Sequence, residues 1–365
     1  MPQRSTRDPA ELRANLEHWL RERIARDAEV TSMTPPTGNG MSSETLVFDA
    51  TWSEDDGTRS ASLVARVAPD PAAVPVFPVY DLDRQFRVMQ LVRERTTVPV
   101  PRVFWSEAEG RYLGAPFFVM ERVDGVVPPD IMPYNFGSWL SEATPEQQAR
   151  LQAAAIGVIA RLHAIERPEE TFAFLELNRA AATPLRRHLA DQRAYYGWAM
   201  DGLRVPLLER AFAWIEDRWP PDEGDTVFNW GDARIGNILF REFEPVAVLD
   251  WEMAALAPRE LDVGWTIFFH RFFEEVAAQH GLPGMPHFMR RDDVAGAYES
   301  LTGHAPRDLD FYTAYAALRH GIIMARIALR AVHFGEATMP DDPDELVSHR
   351  AMLEAMLAGS YWSSV

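Results

Sequence analysis

The hydrophobic pattern of this chain shifts from mostly strand-like to mostly helical near residue 124, and that shift limits the folds open to it. Before it, apolar residues alternate in short runs: "ETLVFDATW" and "ASLVARVAP" flank "SEDDGTRS", whose Asp-Gly pair marks a β-hairpin over residues 44–68. "PRVFWSEAEGRYLGAPFFVMERV" adds two strands about a turn. Two helical windows interrupt the strands. Asp8-Pro9 with Glu11 is a capped start, from which Leu12, Leu16 and Leu20 mark one stripe to about Arg26. "DLDRQFRVMQLVRERT" carries Phe86, Met89, Leu91 and Val92 in the second. Beyond "DGVVPP" the spacing becomes helical: Leu151, Ala155, Val158, Ile159, Leu162 and Ile165 share a stripe, and residues 185–218 and the stretch from Glu260 onward follow suit. A chain of 365 residues exceeds the usual single domain. The pattern therefore predicts an α+β fold of two lobes: residues 1–124 with an antiparallel sheet plus helices, a connection at about 119–126, and a mostly helical lobe over 125–365.

Three compositional facts narrow the chemistry. A formal charge of -18 disfavours nucleic acid and anionic membranes as partners. The absence of cysteine excludes disulfides, thiolate nucleophiles and cysteine zinc sites. All 36 basic residues are arginine, so neither a Schiff base nor the lysine-bearing phosphate loop GxxxxGK[ST] is available, and phosphate must be met by arginine, backbone or metal. The first twenty residues contain no apolar signal core, and no uncharged apolar run approaches the roughly 20 residues of a membrane span. The expectation is a cytoplasmic enzyme.

One segment concentrates reactive groups. In "NWGDARIGN", residues 229–237, Gly231 and Gly236 argue against helix and for a tight loop that aims Asp232 and Asn237 into one place. "NILF" and "VAVLD" form a short hairpin around "REFEP", and Asp250 ends its second strand, where irregular structure begins. Asn237 and Asp250 supply two hard oxygen ligands, a set that suits magnesium; Asp232 is left to accept a proton.

Asp, five steps to Asn, a β-turn-β, then Asp resembles the catalytic core of the protein-kinase-like superfamily. "GDARIGNILF…VAVLDWE" is similar more narrowly to the aminoglycoside phosphotransferase and choline kinase branch. The resemblance implies a bilobal protein-kinase-like fold, ATP and Mg2+ as cofactors, and a small-molecule acceptor bearing a hydroxyl. Asp232 would be the catalytic base, Asn237 and Asp250 the metal ligands, and Arg234 the cation touching the transferred phosphoryl group. In the first lobe, "PTGNGMSSET" would cover the phosphates, with Gly38 and Gly40 for close backbone approach and Ser42, Ser43 and Thr45 as donors. Arg66 stands where the family has its strand cation. Phe118 and Met120 would line the adenine pocket, with backbone groups near Glu121 and Val123 meeting the base. Asp262 resembles a brace for the catalytic loop, with helix capping as the competing role. His163 reads as a packing residue, and a metal pair of His270 and Glu274 is disfavoured.

Two departures stand out. Trp230 occupies the place of a histidine, and its indole can fill the space and donate through its ring N–H. Gln85 replaces the acidic helix partner of Arg66, predicting a neutral hydrogen bond; Asp83 is turned about 200° away around the helix. These departures motivate one alternative, a nucleotide-binding module without turnover; a metal-dependent hydrolase using the same carboxylates is another. The acceptor is expected against the helices after residue 260. Glu260, Glu274, Glu275, Glu336, Asp341 and Asp342 are the carboxylates available to a cationic acceptor, most of them as solvated surface, while Arg319, Arg326 and Arg330 share a helical face that could meet a phosphate, carboxylate or acyl-CoA but reads best as a solvated, salt-bridged stripe.

Overall fold

The structure, a computed structural model, describes residues 7–34, 43–70 and 73–363. Contacts divide the chain into two compact units, Met1–Glu94 with Val100–Asp124, and Arg95–Pro99 with Gly125–Val365.

The first unit is built on an antiparallel sheet of five strands. β1 (Glu29–Thr34) is followed by β2 (Glu44–Glu54) and β3 (Gly57–Val67), which form the expected hairpin and close it on Gly57 at φ +131°, a value side-chain-bearing residues avoid. With β4 (Val103–Glu107) and β5 (Phe117–Glu121) the order across the sheet is β1-β2-β3-β5-β4. The edge strand β1 is not legible in the sequence: it buries Val30 alone, so it carries no alternation to read. Helix α1 (Pro9–Arg23) starts as expected, with the Asp8 carboxylate accepting from the Ala10 and Glu11 N–H groups, but ends sooner than Arg26. Its buried Leu12, Leu16, Trp19 and Leu20 face inward, and the Trp19 ring meets Phe117 edge-on at 5.0 Å. Helix α2 (Leu82–Arg95) buries Leu82, Gln85, Val88, Met89 and Val92; Phe86 and Leu91, which the periodicity put on the same face, are half-buried.

In the second unit, α3 (Pro145–His163) opens on a capping box in which Thr144 and Gln147 satisfy each other's N–H groups, and its predicted stripe is buried. After the single turn α4 (Pro168–Thr171), the region read as one helix is two, α5 (Pro184–Met200) and α6 (Pro206–Asp217), broken where Asp201 and Gly202 take positive φ. β6 (Thr226–Asn229) and β9 (Ala255–Pro258) pair with each other, and β7 (Ile238–Arg241) with β8 (Glu244–Val248). Helices α7 (Glu260–Gln279), α8 (Arg291–Thr302), α9 (Leu309–His333) and α10 (Arg350–Ala358) complete the unit. A Cβ on Gly264 would lie 2.8 Å from the Tyr312 backbone, so glycine in the second turn of α7 lets α7 and α9 approach. No helix of the described residues is long and apolar enough to cross a membrane.

Candidate active site

The loop between β6 and β7 is fixed from beneath by Asp262. This fully buried carboxylate accepts the backbone N–H groups of Trp230 (2.7 Å) and Gly231 (2.8 Å) and lies 3.2 Å from His163 Nε2. Asp262 lies within the first turn of α7, and the residue preceding that helix, Arg259, makes no side-chain cap. Of its two expected roles, bracing the loop is therefore the one its bonds describe. His163 is buried with both ring nitrogens engaged, the other at 2.8 Å from Tyr298 Oη. Gly231 adopts φ +90°, and a Cβ there would overlap the Met253 carbonyl, so no other residue fits. Trp230 supplies what its replacement of histidine required: its indole N–H donates to the carbonyls of Leu249 (2.9 Å) and Asp250 (3.0 Å).

Asp232 is nearly buried, at 9% exposure, and its carboxylate is held by donors on several sides. Oδ1 accepts from Trp265 Nε1 at 2.7 Å and from Arg234 Nε at 3.0 Å; Oδ2 accepts from Asn237 Nδ2 at 2.6 Å. Because that nitrogen faces Asp232, the side-chain oxygen of Asn237 is the atom left for a cation. The Asn237 carbonyl accepts from Leu249 N–H, which brings the backbone beside Asp250 next to Asn237. Asp250 lies two residues beyond the end of β8 rather than on it, and sits at φ +60°, an uncommon conformation that a short polar residue tolerates. No group of three or more His, Asp or Glu among the described residues is arranged to hold a metal. A set of one amide oxygen and one carboxylate still fits magnesium, which keeps waters and substrate phosphates as its remaining ligands.

Arg234 bridges two carboxylates, Asp232 and Asp130, and lies 5.3 Å from the Phe269 ring centre. Burial alone would lower its pKa, but the two carboxylates outweigh it and raise the guanidinium above its usual value, so it is a permanent cation. Asp130 is absent from the sequence reading, since it lies 104 residues from its partner in a proline-flanked stretch with no periodic signal. A trace existed in Gly236, whose φ is not positive: a Cβ there would overlap Asp130 Oδ1 and crowd Arg234 Nη1, so glycine makes room for the ion pair. Trp265 was missed too, as one apolar residue in an apolar helix.

In the first unit, Gly38, Gly40 and Ser42 lie outside the described residues; Ser43 is buried, with no partner for its hydroxyl among those described. Arg66 is half-buried on β3, opposite Phe118 in register, and donates to Thr45 Oγ1 at 3.1 Å. The predicted Gln85 bond is not formed: Gln85 is buried in the contact face of α2, while Arg66 turns to β2. Asp83 instead accepts from Ser106 Oγ at 3.3 Å. Phe118 and Met120 are buried. Glu121 N–H is engaged by the Arg102 carbonyl at 2.8 Å, whereas Val123 has no backbone partner among the described residues.

Other expectations need correction. Arg319 is not on a solvated stripe but buried; Arg326 lies over Trp198 at 4.5 Å and Arg330 over Phe334 at 5.7 Å. Glu260 is buried and accepts Arg307 N–H, Glu274 accepts from Asn135 and Met285, and Asp342 pairs with Arg350, so these three are committed to structure. His270 Nε2 lies 3.9 Å from Glu274, while Nδ1 meets Tyr134 Oη at 2.9 Å. Burial pushes the His270 pKa down to about 3, so it is a neutral core residue.

The model of the phosphotransferase enzyme family matches residues 48–287. The chain belongs to that family. Solved structures agree on a kinase-like phosphotransferase fold. A Ralstonia eutropha JMP134 protein assigned as an aminoglycoside phosphotransferase superposes with TM-score 0.65 at 19% identity, over 96% of this chain and 98% of that one. The aminoglycoside phosphotransferase APH(4)-Ia, in a ternary complex with AMP-PNP and hygromycin B, gives 0.57 at 14%, over 96% and 100%. The macrolide 2'-phosphotransferase MphH of Brachybacterium faecium gives 0.53 at 19%, over 94% and 97%. Among curated proteins, mouse acyl-CoA dehydrogenase family member 10 is 24% identical over 74% of this chain, and chicken acyl-CoA dehydrogenase family member 11 is 27% identical over 54%. The matched part is 24% of the length of each of these two relatives.

Proposed function

We propose that this phosphotransferase moves the γ-phosphoryl group of ATP to a hydroxyl of a small molecule, with Asp232 as the base. The observation that carries the reading is how Asp232 is held: three side chains donate to its carboxylate, which fixes its orientation beside Asn237. A base so held needs no reorganisation when the acceptor hydroxyl arrives. Arg234, a permanent cation beside it, is the group to stabilise charge on the transferring phosphoryl. Asn237 and Asp250 would hold magnesium, which when bound neutralises the phosphate charge. Arg66 would bind ATP phosphate through its planar fork, Phe118 and Met120 would border the adenine with Glu121, and Val123 offers the open backbone groups; Gly38, Gly40, Ser42 and Ser43 would cover the phosphates.

The acceptor class divides the comparisons, since the structural neighbours carry aminoglycoside and macrolide names and the curated relatives carry acyl-CoA names. An acceptor panel should therefore span aminoglycosides, macrolides and hydroxyacyl thioesters, with magnesium and ATP. Asp232→Asn is expected to reduce kcat on the order of 10²- to 10⁴-fold with ATP binding retained. Magnesium-dependent ATP binding with no phosphorylated product from any acceptor would turn the reading to a nucleotide-binding module without turnover. Full-rate phosphate release without an acceptor would turn it to a hydrolase.

A further inference from the structure

Arg319 is a buried charge that the proposed reaction does not use. At 1% exposure in α9 it has no carboxylate within ion-pair distance among the described residues, and its Nε and Nη1 have no hydrogen-bond partner there. Burying a guanidinium so poorly compensated is costly. What Arg319 does touch lies beside the catalytic base. Nη2 donates to the Gly231 carbonyl at 3.2 Å, one residue before Asp232. The guanidinium also lies 4.3 Å from the Trp265 ring centre, and the indole N–H of that ring donates to Asp232 Oδ1 at 2.7 Å. Gly231 is thus gripped at both ends, its N–H by Asp262 and its carbonyl by Arg319.

We propose that Arg319 is a positioning residue for Asp232, acting through the Gly231 carbonyl and the Trp265 indole. A planar guanidinium suits this role, because its face lies on the indole while its edge donates, and both contacts constrain the geometry of the loop. The charged groups facing it are Asp232 and Asp262, with Tyr315 on its own helix and the neutral His188, whose Nδ1 lies 2.7 Å from Tyr315 Oη. The inference rests on the phosphotransfer reading of Asp232.

The test compares Arg319→Met and Arg319→Lys with the parent, in kinetics, thermal stability and the indole 1H–15N signal of Trp265, assigned by Trp265→Phe. Arg319→Met is expected to lower kcat on the order of tenfold or more while KM for ATP stays within about twofold, with Tm kept or raised because an uncompensated buried charge is gone. Arg319→Lys keeps a cation and a donor for Gly231 but loses the planar face, so it should recover part of the loss. The Trp265 signal should shift in the Met variant while the other indole signals stay. A kcat that falls only as far as the folded fraction falls, or a Lys variant no better than Met, would make Arg319 a structural brace and overturn the proposal; so would failure of both variants to fold. If the parent shows no magnesium-dependent turnover, the phosphotransfer reading fails by itself, and the positioning contact is then judged by the Trp265 signal, an unmoved signal counting against it.

Discussion

Asp232 and Arg66, the two side chains on which the proposed reaction most depends, are held very differently. Around Asp232 the second unit stacks several layers of support: Trp265, Asn237 and Arg234 donate to the carboxylate, and Asp262 and Arg319 hold the backbone just before it. Arg66, on a strand of the first unit, has one hydroxyl partner among the described residues, and the helix residue in its partner's place is buried without bonding to it. Groups that must be aimed before the reaction are fixed by the fold, whereas a cation whose partner is a ligand phosphate can be oriented by the ligand itself.

Removing the deepest support should break that contrast most severely. Asp262→Ala leaves two backbone N–H groups buried without acceptors and is expected to destabilise the protein by about 3 kcal/mol or more, with activity lost in the fraction that folds. Chemical denaturation beside turnover per folded molecule measures both.

Acid should separate the two units. Burial in the second unit depresses the pKa of His188 and His320, of His349 to about 4 and of His270 to about 3, each against an unfolded value near 6.5, while the histidine described in the first unit, His18, is exposed. A folded pKa below the unfolded one gives stability that is complete above pH 6.5 and drains away as the pH falls toward the folded value. At pH 5 the loss amounts to about 2 kcal/mol for each of His270 and His349. Hydrogen exchange compared between pH 7 and pH 5 should show protection falling chiefly in the second unit; equal loss in both would contradict the assignment.

Gly236→Ala sharpens the comparison at the ion pair. A methyl group there displaces Asp130 from Arg234, so kcat should fall by roughly tenfold with KM for ATP little changed. In an Asp130→Ala background the same substitution should cost clearly less, since part of the obstruction is gone. Arg66→Gln should show the opposite split, KM for ATP rising several-fold, on the order of 1 kcal/mol, with kcat nearly kept. A kcat effect larger than that of Gly236→Ala would mean that Arg66 is positioned before ATP arrives, and the contrast with Asp232 would dissolve.

The sequence by itself determined the change from a strand-rich to a helix-rich part, the β2–β3 hairpin, the glycine-bearing loop with Asp232 and Asn237, and the hairpin that leads to Asp250. Each of these is written in residues close along the chain, as a period, a turn or a short spacing. Only the tertiary structure decided that Asp130 pairs with Arg234, that Trp265 donates to Asp232, and that Arg319 turns inward while Arg326 and Arg330, on the same helix, rest on surface aromatics. Helical spacing says which side chains share a face but not what the face meets. The strand β1 escaped for the complementary reason, because hydrogen bonds to β2 place it where its own side chains bury almost nothing. The physical divide is between information carried by neighbours in the chain, which propensity and pattern express, and information carried by partners some 30 to 100 residues away, which exists only once the backbone has brought them together.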